Sequence, residues 1–140
     1  MAYIFAFLSA FTAALVAIFG KLGLQTLDST VATTIRSVIM ALFLVAVSVA
    51  LKKFSGFSFG SLESRDWLWI TLAGIAGALS WLFYFAALKI GDASRVASID
   101  RLSIVFIVIL AALFLGEGFG WKAIAGAALM AVGAILITLR

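Results

Sequence analysis

The spacing of charge constrains this chain most. Five apolar runs, each close to the roughly 20 residues that cross about 30 Å of hydrocarbon at 1.5 Å per residue, alternate with short polar turns. They lie at about 3–24, 31–51, 67–88, 96–115 and 121–139. Only 11% of the side chains are charged and 66% are hydrophobic, where a soluble domain has about a quarter charged. The chain therefore reads as an all-α integral membrane protein, one domain over residues 1–140 with five transmembrane helices. Met1-Ala2-Tyr3 opens into the first run without the basic start of a signal peptide, so that run is read as a span.

The same composition removes whole classes of chemistry. With no Cys and no His there is no thiolate nucleophile, imidazole base, disulfide or ordinary zinc site, so no metal and no cofactor is expected. No hydroxyl has an evident base partner, and the chain is read as not an enzyme. Ten Lys and Arg against six Asp and Glu give +4, but the cations stand scattered between apolar runs, which speaks against nucleic acid as a partner.

Two spans cannot be drawn without burying charge. The uncharged stretches Ser37–Leu51 and Leu102–Leu115 hold 15 and 14 residues. As helices these reach only about 21 to 23 Å, so Arg36 and the pair Asp100–Arg101 fall within the membrane. Both arginines lie near the start of their spans, where the helix dipole opposes a cation. Snorkelling of their heads to the interface is the plain alternative to a functional role.

A short internal match sets the two arginines in register. Ser29-Thr30-Val31-Ala32-Thr33-Thr34-Ile35-Arg36 pairs with Ser94-Arg95-Val96-Ala97-Ser98-Ile99-Asp100-Arg101, both reading S-x-V-A-[ST]-x-x-R. Lys21 and Lys89, each followed by a Gly two residues on, end the preceding spans, and the Ser that opens each match is expected to cap the next helix. In the third span Gly74, Gly77, Ser80, Trp81, Tyr84 and Leu88 share a helical face, with the glycines expected to admit close backbone approach. Trp81 falls near the layer of the arginines. In the fifth span the spacing of Ala123, Ala127 and Ala131, with Gly126 and Gly133 beside them, predicts helix packing within the chain or between chains.

Orientation is not biased by charge. Lys52, Lys53, Arg65 and Lys122 flank the membrane on one side, and Lys21, Lys89, Arg95 and Arg140 on the other. A chain so balanced is free to insert both ways, and two opposed copies would form an inverted repeat of ten helices.

The ordered features Lys21, Arg36, Ala87-Leu88, Gly91-Asp92-Ala93-Ser94, Leu115-Gly116-Glu117, Gly126 and Gly133 resemble one EamA-type repeat of the drug/metabolite transporter superfamily, from the first span to the last. That family usually carries two such repeats as inverted halves and moves small metabolites by alternating access. The resemblance to its small single-repeat members implies an antiparallel, dual-topology homodimer. The family tends to place Pro near Leu102 to Ser103. This chain has no Pro, which weighs against a mechanism relying on a broken fourth helix.

The expected function is secondary transport of a small anionic or zwitterionic metabolite. Arg36, Arg101, Ser98, Trp81 and Tyr84 are expected to bind substrate, Asp100 to serve as proton carrier or counter-ion, and Lys21, Lys89 and Glu117 to act as structural or gate residues. Around the arginines, five cations (Lys21, Arg36, Lys89, Arg95, Arg101) face three carboxylates (Asp28, Asp92, Asp100), which favours an anion. The expected partners are a small-molecule substrate, the lipid bilayer and a second, antiparallel copy, in the bacterial inner (plasma) membrane. Two alternatives remain. One is an exporter of toxic compounds like the small multidrug resistance family, which lacks here the carboxylate that resemblance implies in the first span. The other is a non-transporting membrane subunit or scaffold.

Overall fold

The computed structural model describes residues 1–116, 118 and 120–139. Among them are six α-helices, one 3-10 turn and no strand: α1 (Ala2–Gly23), α2 (Ser29–Ala50), the turn Phe59–Ser61, α3 (Ser64–Ile90), α4 (Ala93–Asp100), α5 (Ser103–Leu115) and α6 (Trp121–Thr138). Five stretches are long and apolar enough to cross a membrane: α1, α2, α3, the stretch Ala93–Leu115 that holds α4 and α5, and α6. The all-helical, five-span architecture expected from the charge spacing is present. The chain forms two compact units, Leu22–Lys89 and Met1–Lys21 with Ile90–Arg140.

In the unit Leu22–Lys89 the helix ends are built by local chemistry. Asp28, not Ser29, is the N-cap of α2: its Oδ1 accepts from the N–H groups of Thr30 (2.8 Å) and Val31 (3.2 Å). A carboxylate satisfies two orphan donors and complements the dipole, which a hydroxyl one residue later does less well. At the far end Lys52 N–H bonds to Val49 O and Lys53 N–H to Ser48 O, each at 2.9 Å. This is a Schellman closure with Lys52 in the left-handed position (φ 52°) that Gly ordinarily fills. α3 starts three residues earlier than the hydropathy suggests, because Asp66 Oδ2 reaches back to the Glu63 N–H at 3.1 Å, one half of a capping box.

The other unit contains the largest departure from expectation. The fourth span is broken at Arg101–Leu102 without a proline. Three bonds tighten to 3-10 spacing there: Leu102 N–H to Ile99 O, Ile104 N–H to Arg101 O and Val105 N–H to Leu102 O, at 2.9, 3.1 and 2.9 Å. Ser and Asp compete for backbone groups in a helix interior, and Ser98, Asp100 and Ser103 crowd this point. The break also moves Arg101 from the first turns of a long helix to the C-cap of α4, where the dipole favours a cation.

α4 and α5 both pack on α6, burying Ala127 and Ala134. Gly126 and Gly133 turn elsewhere, and an added Cβ at either would meet nothing within 4 Å. The same holds for Gly74 and Gly77 in α3, so the close backbone approach expected at these glycines is not seen among the described residues of either unit. Among the described residues only Ala17, Leu24, Thr33, Phe85, Leu88, Ala127 and Ala134 are buried. The long apolar side chains outside that set are left to lipid or to another polypeptide.

Candidate functional site

The unit Leu22–Lys89 brings three of the α2 and α3 site residues together. Arg36 lies seven residues, about 10 Å, into α2. Its guanidinium carbon is 3.7 Å from the centroid of the Trp81 ring and 5.4 Å from that of Phe85. Trp81 and Tyr84 meet edge to face at 5.6 Å, and Phe85 stands 5.9 Å from Trp81 and 6.2 Å from Tyr84. Stacking a guanidinium on an indole face is favourable, by about 0.5–1 kcal/mol when exposed and roughly 2 when desolvated.

Stacking does not satisfy the five N–H donors of arginine. Nη2 meets only the thioether of Met40 at 3.9 Å, a weak acceptor one turn along α2. Nη1 is buried with no hydrogen-bond partner. A buried charged donor without an acceptor costs on the order of 1–3 kcal/mol or more, so this geometry is that of a cation prepared for an acceptor not supplied by its neighbours.

Neither Met40 nor Phe85 was singled out from the sequence. The signal was available: Met40 is four residues after Arg36 and Phe85 four after Trp81, the spacing at which helical side chains meet. Ser80, expected on this wall, is exposed.

Of the residues in the other unit, Ser98 donates its hydroxyl to Ser94 O at 2.7 Å. The matching position does the same in α2, where Thr33 donates to Ser29 O at 2.8 Å, so the two halves of the repeat share a side-chain bond. Asp100 ends α4 and is half-buried, and Arg101 follows it, exposed. Among the described residues neither forms an ion pair; the pair present is Arg95 Nε to Asp92 Oδ2 at 3.3 Å. Lys21 Nζ donates to Gly91 O at 2.8 Å, and Lys89 Nζ donates to Leu24 O and Leu27 O. Each lysine thereby holds the turn that follows the other's helix. Glu117, expected as a gate, lies outside the described residues.

The profile of the EamA-like transporter family matches residues 1–139. The chain belongs to that family. A relative from Sinorhizobium sp, named "Uncharacterized transporter in cobO 3'region", is 43% identical over 132 residues, 94% of this chain and 92% of the relative. No solved structure is significantly similar. With five spans and this family, the chain is an integral membrane protein of transporter type, which points away from an enzyme.

Proposed function

We propose that the chain is a secondary transporter of a small anionic or zwitterionic metabolite, working by alternating access in an antiparallel homodimer of two five-helix repeats in the bacterial inner (plasma) membrane. The observation that carries this reading is the Arg36 guanidinium, held on Trp81 inside a span with its Nη1 buried and unanswered. An intramembrane cation with no ion pair among the described residues is by default a candidate for a substrate path. Tyr84 lines the same wall as Trp81; in the other unit Arg101 and Ser98 are assigned as substrate contacts and Asp100 as proton carrier or counter-ion. The 3-10 break beside Arg101 supports a point at which the fourth span bends during the cycle.

Two features support the homodimer. Lys and Arg are balanced across the two faces, and the Gly126–Gly133 face of α6 is open. Reconstitution in vesicles tests the function. Arg36→Ala and Arg101→Ala should each cut Arg-dependent anion uptake by at least about tenfold, the loss of a charge-assisted hydrogen bond, while the protein remains folded. Undiminished uptake in both variants overturns the site.

A further inference from the structure

We propose that the Arg36–Trp81 pair selects an amphipathic monoanion: a carboxylate for the guanidinium joined to a flat apolar body for Trp81 and Met40. This deepens the transport reading and rests on it. The surroundings of Arg36 are all soft. Its neighbours are an indole at 3.7 Å, a phenyl ring at 5.4 Å and a thioether at 3.9 Å. Such groups solvate an apolar surface and offer nothing to a polar one. Phe85 is buried beneath the stack, whereas Met40 is 40% exposed, so Met40 and Trp81 form the accessible apolar lip.

Charge count narrows the ligand further. Within Leu22–Lys89 the acids are Asp28, Glu63 and Asp66. Asp28 caps α2, and Asp66 bonds back to Glu63 at the start of α3, roughly 25 Å of helix away from Trp81. An ammonium placed beside Arg36 finds no anion in this unit, so the surroundings of Arg36 by themselves disfavour a zwitterion. The other cations are equally remote or engaged: Lys52, Lys53 and Arg65 stand at the far ends of α2 and α3, and Lys89 is bonded to Leu24 O and Leu27 O. Within this unit a dianion would leave its second charge unanswered. One negative charge matches one guanidinium.

Nη1 faces inward, so an anion reaches it as Arg36 moves off the indole face. Trp81 therefore reports binding. The experiment uses the full chain with Trp67→Phe, Trp69→Phe and Trp121→Phe, reconstituted in phosphatidylcholine vesicles and titrated with phenylacetate, phenylacetamide, phosphate and phenylalanine. The expected result is a saturable fluorescence change with phenylacetate, at least about tenfold weaker affinity for the other three, and loss of the phenylacetate response in Arg36→Ala. Calorimetric titration of the unmodified chain repeats the ranking without the Trp substitutions. Equal affinity for the neutral amide, for phosphate or for phenylalanine overturns the proposal, as does no binding of phenylacetate by either method. Arg36-dependent flux of phosphate or phenylalanine without phenylacetate binding removes the substrate class and leaves the transport reading standing. Phenylacetate binding in the expected order without flux of any probe supports the class and removes transport.

Discussion

The guanidinium of Arg36 is stacked on the ring of Trp81 at 3.7 Å yet has one terminal nitrogen buried without an acceptor. Attraction to the ring holds the cation in place, and the missing acceptor leaves it chemically unfinished. Trp81 can thus hold Arg36 until a ligand draws it off the ring, without occupying the hydrogen-bond donors the ligand needs, which a carboxylate in the same place would do.

The stack is measurable as a coupling. In a double-mutant cycle of Arg36→Met and Trp81→Leu, unfolding by SDS from mixed micelles should give an interaction energy of about 1–2 kcal/mol, between the exposed and desolvated values for such pairs. Strict additivity of the two substitutions would mean the contact is not formed in the folded chain.

Substitution at Asp100 tests whether the break in the fourth span has a local cause. The repeat places Ile35 where the second copy has Asp100, and α2 runs on unbroken through Arg36. Asp100→Ile should extend α4 into α5. Solid-state NMR shifts of Leu102 and Ser103 would move to regular α-helical values, with amide exchange slowed there. Unchanged shifts would place the cause in Ser98 or Ser103 instead.

Much of this was legible beforehand, and the limits were physical. Charge spacing located all five spans, since a charge in hydrocarbon is costly enough to dominate every other signal. The S-x-V-A-[ST]-x-x-R match proved to carry a shared bond, Thr33 to Ser29 O and Ser98 to Ser94 O. The break at Arg101–Leu102 was hidden because no proline marks it, and Ser98, Asp100 and Ser103 are each only weakly unfavourable in a helix interior. Asp28 rather than Ser29 caps α2 because its carboxylate accepts from two N–H groups, whereas Asp92 stands at the N-cap of α4 without a side-chain cap bond, its carboxylate paired with Arg95. Met40 and Phe85 look like ordinary lipid-facing residues until Arg36 and Trp81 are known to meet.

Lys89 ties down the turn between α1 and α2 through Leu24 O and Leu27 O. Lys89→Met removes both bonds and should cost about 1.5 kcal/mol, the low end for charged donors because the lysine is exposed. Hydrogen exchange in residues 22–28 should quicken in the variant. Lys89→Arg should restore part of the protection.

The Asp28 carboxyl is held below its ordinary value of 3.8 by the N–H groups of Val31 and Thr30. A depressed carboxylate stabilises the fold above its ordinary value, and that contribution is lost as pH falls through the lowered folded value. Thermal denaturation in detergent should show an acid-side loss below about pH 4 that is smaller in Asp28→Ala, whose melting temperature is already lower at pH 7. A parallel acid profile in both proteins would show that the cap does not contribute.

Lys52 occupies a left-handed backbone position at φ 52°, which costs a residue with a Cβ about 1–2 kcal/mol. Glycine would relieve that strain but loses more chain entropy on folding, about 0.5–1 kcal/mol. Lys52→Gly should therefore stabilise the chain by roughly 0.5–1 kcal/mol in the same SDS titration, the balance of those two effects. Destabilisation would mean that the Lys52 charge at the end of α2 is worth more than the strain it imposes.

Topology gives the most decisive measurement. Ser55 is exposed in the turn after α2, and the chain has no native Cys, so Ser55→Cys is a single reporter of one face. With four cationic residues flanking the membrane on each side, the balance that normally selects one orientation is absent. Membrane-impermeant maleimide should therefore label part of the population in intact cells and the remainder only after permeabilisation. Adding positive charge on one face should shift that partition: Ser61→Lys with Ser55→Cys would turn the Ser55 side toward the cytoplasm and reduce labelling from outside. Labelling confined to one side in both proteins would leave no opposed copy with which to complete the inverted repeat.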